Sequence, residues 1–312
     1  MSGVEPLQIF NSSKPISLPG KKCAYCGCDL RSDNRTRDHA IARRFVPEGT
    51  VLNGFNLILP ACRGCNDRKA ALEDDISLIT MLPDTAGRYV RDDERLRRTV
   101  VRKARGSISS VTRRLVSRSY NEVKFRCPIG DGASISFEGT AMPLIDEQRA
   151  ARLAYYHVQA FCFFRSFRRD LQHGAWLEPS DFLMLGYLTK DDWGNPQLRH
   201  FMNEIQNWEL VGLVAAADGY FRHTMHRRLD GNLWAWAVEW NERMRVFGVY
   251  GAQAARNEFL ERMPAIRPDL GYGDTTNGFF MRWETALPDE DDVLFDAPAE
   301  ALQREFARPH WR

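Results

Sequence analysis

The chain has 312 residues, of which 44% are hydrophobic and 27% are charged. These values lie near the averages of soluble globular proteins, which excludes a fibrous or wholly disordered chain, and the length favours two domains. No stretch approaches the roughly 18 consecutive apolar residues of a membrane span, and residues 1–15 lack the basic-then-apolar order of a signal peptide. We therefore expect a cytoplasmic protein that has no membrane partner.

Charge is divided unevenly along the chain. Residues 1–130 hold 24 Lys and Arg against 14 Asp and Glu, whereas residues 131–312 hold 19 against 27. The near-neutral total of +2 therefore conceals a basic N-terminal half and an acidic C-terminal half. A polyanion such as nucleic acid is expected to meet the N-terminal side only.

The first elements predicted in chain order are an arm, a cysteine-bearing module and a basic connector. Residues 1–20 contain several prolines, which predicts an extended arm. Residues 21–75 hold the cysteine-bearing module. Residues 76–120 are rich in arginine and carry apolar residues at helical spacing on both sides of Gly106, which predicts a connector made mainly of helices.

A second architecture is predicted for residues 121–285. The segment EVKFRCPIGDGASISFEG alternates apolar and polar residues around Asp131 and Gly132, which predicts a β-hairpin. Residues 146–172 place apolar residues at helical spacing, with acids at the front and bases at the back, which predicts a long core-forming helix. A shorter helix is expected at residues 196–208.

Strand pairs are predicted for the segments GLVAAADGYFRHTMHRRL and LWAWAVEWNERMRVFGVYG, with turns at Asp218-Gly219, Asp230-Gly231 and Asn241-Glu242. Residues 286–312 are acidic and contain prolines, which predicts a partly ordered tail. The expected fold class is α+β: a small module, a helical connector and a C-terminal domain of helices packed on an antiparallel sheet.

Two side-chain patterns in this predicted sheet have plain interpretations. Trp234, Trp236 and Trp240 lie at even spacing along one segment, and filling the core is favoured over forming a surface on which bases stack. His223 and His226 have the spacing of a ligand pair but no acidic partner nearby, so we interpret them as incidental.

Five of the seven cysteines lie before residue 66. Cys23-x2-Cys26 and Cys62-x2-Cys65 form two CxxC knuckles separated by 35 residues, and four thiolates at tetrahedral positions suit zinc. An all-thiolate set has no open coordination position, so the predicted zinc is structural. Cys28 lies two residues beyond Cys26 and stays open as its replacement in the ligand set.

The residues between and after the knuckles carry a specific motif. Asp38-His39, Asn56 at the start of NLILP, and CNDRK beginning at Cys65 resemble the HNH endonuclease family, including its members with two CxxC knuckles. The resemblance covers residues 23–72. It implies a β-hairpin followed by a helix around a metal ion, the ββα-metal arrangement, and hydrolysis of phosphodiester bonds in DNA.

The resemblance also implies a role for each matching residue. Asp38 would ligate the catalytic metal ion, His39 would be the general base, and Asn56 would brace the loop that carries His39. Asn66 would be the second protein ligand, at the position where the last letter of the family name expects histidine. Oxygen ligands suit Mg²⁺ or Mn²⁺, and an imidazole can accept a proton from water near neutral pH.

Basic residues near the motif are candidates for nucleic-acid contact. The candidates are Lys69, Arg43, Arg44, Arg63 and Arg68. Lys69 follows Asn66 by three residues and so shares much the same helix face, where it could touch a phosphate. The connector holds 11 basic and 3 acidic residues between Arg88 and Arg118. Phosphate binding and a merely solvated helical face stay open as alternatives for it.

Two other functions stay open beside the nuclease. A zinc-stapled module could bind DNA or RNA without cleavage, or the C-terminal domain could bind a protein or small-molecule regulator and restrain the nuclease. Nicking is expected to dominate over double-strand cleavage unless the protein forms a homo-oligomer. A role in defence against foreign DNA is a further hypothesis, suggested by the pairing of a nuclease with an unassigned domain.

Overall fold

A computed structural model describes residues 9–10, 15–51, 56–130, 133–265, 273–274, 279–280 and 284–296. Within these ranges the chain is α+β, as predicted, with five α-helices and four small or medium sheets. The helices are α1 (Arg63–Met81), α2 (Glu94–Ala104), α3 (Glu147–Arg165), α4 (Pro196–Ile205) and α5 (Gln253–Arg262).

The N-terminal module is a three-stranded sheet followed directly by a helix. Its strands are β2 (Ile16–Ser17), β3 (Arg35–His39) and β4 (Leu57–Cys62), in the order β2-β4-β3. The apolar sequence of β4 suits the central, buried position, and β3 pairs with it in antiparallel fashion. Because α1 begins at the residue after β4, the end of the sheet and the first helical turn are held close together.

The connector contains less helix than predicted. Helix α1 continues beyond residue 75 to Met81, and α2 covers residues 94–104, but residues 105–115 form no α-helix. The hydroxyl of Ser109 accepts hydrogen bonds from the backbone amides of Val111 and Thr112. Such local side-chain bonds compete with the helical hydrogen-bond ladder, which explains why the segment SISSVTRRLVSRS forms irregular turns.

The C-terminal part is built on a six-stranded sheet. Its strands are β1 (Ile9–Phe10), β7 (Phe182–Thr189), β8 (Glu209–Ala216), β9 (Phe221–Arg227), β10 (Leu233–Trp240) and β11 (Met244–Gly251), in the order β1-β8-β9-β10-β11-β7. The predicted antiparallel pairs and their three turns are confirmed, with Asp218, Gly231 and Asn241 at positive φ. Strand β7 and helix α5 were not predicted.

The predicted hairpin is also present, as β5 (Asn121–Gly130) paired with β6 (Ala133–Ala141). Its turn residues 131–132 lie outside the described residues. Residues 273–274 and 279–280 form a further short pair, β12 and β13. The expected tail is described for residues 284–296, where Leu294 is buried, while residues 297–312 lie outside the described residues.

Helix α3 connects the module to the sheet. It ends at Arg165, earlier than the predicted residue 172, because the chain turns at Ser166, whose hydroxyl donates to the carbonyl of Cys162. One buried apolar cluster runs from Phe45 in the module through Phe161 on α3 to Trp240 on β10. The module and the sheet therefore share one hydrophobic core, although the connector separates them in the sequence.

Candidate functional site

The first cysteine knuckle is a tight turn. The Cys23 amide donates to the Cys28 carbonyl at 2.9 Å, and the Gly27 amide donates to the Cys23 carbonyl at 2.9 Å. Gly27 has φ of +72°, in the left-handed region that favours glycine. The turn brings three thiols to one side of the knuckle, facing the end of β4.

Four of the thiols form a compact group. The Sγ atoms of Cys23, Cys26, Cys28 and Cys62 lie within 4.8 Å of one another. The Cys26 and Cys62 sulfurs are 3.9 Å apart, and a tetrahedral zinc ion with bonds of about 2.3 Å needs sulfurs separated by roughly 3.8 Å. The cluster could therefore hold a structural metal ion such as zinc.

The compact group differs from the predicted quartet in one member, because Cys28 stands in it and Cys65 does not. Cys65 lies beside the group, in the first turn of α1, where its sulfur accepts a hydrogen bond from Arg68 at 3.2 Å. A hydrogen bond with Cys65 lowers the pKa of Cys23 to about 4. Five thiols therefore lie close together here. Cys28 belongs to the compact group in addition to Cys26 and does not replace it.

Asp38 lies between the knuckle and α1. Its side chain is buried, and one carboxylate oxygen, Oδ2, accepts a hydrogen bond from the Tyr25 hydroxyl and lies 3.3 Å from the Lys69 ammonium. The other oxygen, Oδ1, has no hydrogen-bond donor among the described residues. Burial raises the pKa of Asp38, and the charge of Lys69 opposes that shift. Tyr25 belongs to the knuckle itself, so the thiol cluster positions this carboxylate.

His39 ends β3 and remains paired with Ile58 of β4. Regular strand structure ends at His39, so Asp38 and His39, whose side chains point to opposite faces of β3, can border one site only at the end of the strand. The half-buried imidazole forms no hydrogen bond within the described part of the chain. Burial, and then the charge of Arg43, lower the pKa of His39, which keeps its imidazole neutral near pH 7. A neutral imidazole is the form that can accept a proton.

The two asparagines of the motif occupy different environments. The Asn56 amide is buried and donates to the Ile41 carbonyl at 2.9 Å, which ties down the chain that follows His39. Asn66 is half-buried in the first turn of α1, and its side chain has no hydrogen-bond partner among the residues described. It lies three residues before Lys69 and so shares the helix face that meets the end of β3.

Lys69 is not at the surface, where phosphate contact was expected. Only 1% of it is exposed. Its ammonium donates to the His39 carbonyl at 2.9 Å and to Glu73 Oε1 at 2.8 Å, in addition to its ion pair with Asp38. A buried lysine that holds both the backbone of His39 and the carboxylate of Asp38 positions those groups.

The buried polar contacts continue into the C-terminal sheet. Glu73 on α1 lies 3.9 Å from Nε2 of His157 on α3. The indole of Trp240 on β10 donates to the other ring nitrogen of His157 at 3.2 Å. Sequence reasoning missed Tyr25, Glu73 and His157, because their importance depends on three separate elements meeting at Lys69 and Asp38. The i,i+4 spacing of Lys69 and Glu73 was the available signal.

The remaining predicted cations lie at the surface. The side chains of Arg43, Arg44, Arg63 and Arg68 are exposed, and within the described ranges none of them has an acidic partner. The connector differs in its first part, where every arginine from Arg88 to Arg102 faces an acid, while Arg105, Arg113, Arg114 and Arg118 have no acidic partner among the described residues. The pairs there are Arg88–Asp84, Arg91–Glu242, Arg95–Asp218, Arg97–Asp92, Arg98–Glu94 and Arg102–Glu48. This pairing favours the solvated helical face over a phosphate-binding one.

The aromatic and histidine patterns of the sheet are part of the core. Trp236 and Trp240 are buried, and the Trp236 ring stacks on Phe182 with centroids 4.4 Å apart. His223 is buried, His226 is half-buried, and neither belongs to a metal-binding group within the described residues. Across those same residues, no helix is both long and apolar enough to cross a membrane.

Comparison of the chain with family models, with curated proteins and with solved structures gives no match. The function proposed below therefore rests on the residues of the site and on their geometry.

Proposed function

We propose that this chain is a metal-dependent HNH-type endonuclease that hydrolyses phosphodiester bonds in DNA. The observation that carries the proposal is a set of unused polar groups at the junction of β3 and α1. Asp38 Oδ1, the His39 imidazole and the Asn66 amide have no protein partner in the described structure, although Asp38 is buried and the other two are half-buried. Polar groups that keep free hydrogen-bonding capacity at one junction could take up a ligand there.

The unused groups have the chemistry that a hydrolytic metal site requires. Asp38 and Asn66 would hold a Mg²⁺ or Mn²⁺ ion through oxygen atoms, which hard cations prefer. When bound, such an ion supplies a Lewis acid for the phosphate oxygens. His39 would accept the proton of the water that attacks phosphorus, and its depressed pKa keeps it ready to do so at neutral pH.

The other residues of the site hold the catalytic groups in place and take no part in the reaction itself. Lys69 fixes the carboxylate of Asp38 and the backbone of His39 at once, and Asn56 fixes the chain that leaves His39. Tyr25 orients Asp38 from within the knuckle, so a zinc ion in the thiol cluster would stabilise the catalytic geometry without touching the substrate. Structural zinc contributes about 10–16 kcal/mol of apparent binding free energy in small modules.

One observation favours a second candidate function. Asp38 already forms an ion pair with Lys69, and that contact would also stabilise a module that lacks a catalytic metal. The second candidate is a zinc-stapled module that binds nucleic acid without cleaving it. A regulator or partner bound to the C-terminal sheet, and a role in defence against foreign DNA, are compatible with either function.

Cleavage of supercoiled plasmid separates these functions. Purified full-length protein with Mg²⁺ or Mn²⁺ should convert the plasmid to a nicked form, and His39→Ala should lower the rate by about 10²–10⁴-fold, the usual contribution of a general base. The matched control is His200→Ala, which removes a half-buried histidine from α4 and should leave cleavage unchanged. Equal cleavage by wild type and His39→Ala would contradict the proposal.

A further inference from the structure

Strand β3 presents two arginines on the same side as His39. Successive side chains of a strand point to opposite faces, so Arg35, Arg37 and His39 share one face, at intervals of about 6.6 Å. The other face carries Thr36, whose hydroxyl donates to the Ala61 carbonyl, and the buried Asp38. Both arginines are exposed. A short row of positive charge therefore leads to the candidate general base.

Neither arginine is neutralised. Arg35 has no acidic partner among the described residues, and the guanidinium of Arg37 donates only to the uncharged hydroxyl of Ser17. Asp33, in the turn before β3, forms no ion pair with either in the described part of the chain. The arginines of α2 form the contrast, since an acid within 4.0 Å faces most of them. Surface arginines that keep their full charge are available to an anionic partner.

The strand that carries the row is also open along its outer edge. The sheet order β2-β4-β3 makes β3 an edge strand, with no neighbour on its outer side in the described structure. Positive charge on an edge strand also discourages pairing with another chain, which is the plain explanation for these arginines. Protection against strand pairing would work with arginines anywhere on β3. A binding role requires the arginines to lie beside His39.

We propose that Arg35 and Arg37 form a track that binds successive phosphates of the nucleic-acid strand whose scissile phosphate lies at His39. The place of the scissile phosphate rests on the proposed function. Arg35 and Arg37 are about 6.6 Å apart along the strand, and arginine binds phosphate through paired N–H donors. Contacts to phosphates alone carry no sequence information. The track therefore orients the nucleic-acid strand without selecting its base sequence.

The test measures the salt dependence of binding in the full-length His39→Ala protein, which separates binding from cleavage. The probe is a fluorescein-labelled duplex of arbitrary sequence, and affinity is measured by fluorescence anisotropy between about 50 and 200 mM salt. Arg35→Ala/Arg37→Ala is compared with Arg114→Ala/Arg118→Ala. The second pair also consists of exposed arginines that have no acidic partner within the described residues, so net charge falls equally in both variants.

Loss of two phosphate contacts should reduce the slope of log K against log salt by about 1.8 and weaken binding at least roughly tenfold, whereas the control pair should change neither. Equal behaviour of the two double variants would overturn the proposal. Arg35→Gln alone removes no side-chain contact and should reduce the slope by about 0.9, which keeps the test valid if the double variant folds poorly. Absence of plasmid cleavage by the wild type would instead contradict the nuclease function and leave this binding result unaffected.

Discussion

The module and the six-stranded sheet both bury charged groups, but they do so in different ways. On the sheet, Arg245 is fully buried and donates to Glu239 at 2.9 Å and to both carboxylate oxygens of Asp292. Its guanidinium also lies 3.5 Å from the centroid of the Trp193 ring. In the module, Asp38 uses only one of its two oxygens. The donors of Arg245 are engaged within the fold, whereas the second oxygen of Asp38 stays available to a ligand.

The same comparison extends to surface charge. The arginines of α2 are paired with nearby acids, while those of β3 beside His39 are not. Within the described residues, exposed arginines without an acidic partner therefore lie beside His39 on β3, whereas those of α2 are neutralised. This difference in surface charge agrees with the basic N-terminal half of the sequence.

Removal of the metal from the thiol cluster should have the largest effect, first on the module and then, through the shared core, on its packing against the sheet. Cys62→Ser is expected to abolish zinc binding and unfold the module, because the binding free energy of about 10–16 kcal/mol is comparable with the whole stability of a domain. Zinc content and circular dichroism measure the result. Cys162→Ser on α3 is the control, and it should retain one zinc ion per chain.

The same assay distinguishes the two possible sets of ligands. The compact group predicts that Cys28→Ser weakens zinc binding and that Cys65→Ser leaves it nearly intact. The opposite order would show that the two CxxC pairs of the sequence provide the ligands and that Cys28 is a bystander.

Acid should destabilise the sheet and the packing of α3 against it through three histidines. Burial lowers the pKa of His157 to about 4, of His223 to about 3 and of His226 to about 4. These values lie below the unfolded value of about 6.5, so the unfolded chain takes up protons first, and stability present above pH 6.5 is lost as the pH falls toward 4. The loss between pH 7 and pH 5 should be about 2 kcal/mol for each histidine.

Urea unfolding at several pH values measures this loss. His226→Gln should reduce the loss between pH 7 and pH 5 by about 2 kcal/mol, since one proton-binding group is removed. A free energy of unfolding that stays constant over this interval would contradict the burial of neutral histidines.

Lys69→Met tests whether the buried charges of the module depend on one another. The substitution leaves the Asp38 and Glu73 carboxylates buried without their shared cation, and breaking such a contact costs about 3–5 kcal/mol. Lys22→Met removes an exposed ion pair with Asp29 and should cost less than about 1 kcal/mol. Chemical denaturation compares the two, and equal costs would mean that Lys69 is solvated rather than buried.

Much of the fold was predictable because it depends on local patterns. The order of β3, β4 and α1 follows from the motif, and the turns of the sheet follow from Asp-Gly and Asn-Glu pairs between alternating segments. Strand β7 was missed because every residue from Phe182 to Thr189 is half-buried, so no clear alternation marks it. Helix α5 was missed because it buries few residues.

The sequence could nominate the candidate site residues but not their environments. Spacing placed Lys69 on the helix face of Asn66, but it could not show that the ammonium is buried against the end of β3. Spacing also favoured Cys65 over Cys28, because the shape of a turn that brings Cys23, Cys26 and Cys28 together depends on backbone geometry at Gly27. The burial of a side chain and the conformation of a turn depend on how the whole chain packs. A pattern of residue types does not specify either of them.

The central claim is that the unused oxygen of Asp38 holds a catalytic cation, and binding of Mn²⁺ tests it most directly. Electron paramagnetic resonance of zinc-loaded full-length protein should detect one bound Mn²⁺ ion per chain. Asp38→Asn should weaken that binding by at least roughly tenfold while zinc content stays unchanged, because a neutral amide replaces the charged ligand. Wild-type protein that binds no Mn²⁺, or an Asp38→Asn variant that binds it equally well, would contradict the account.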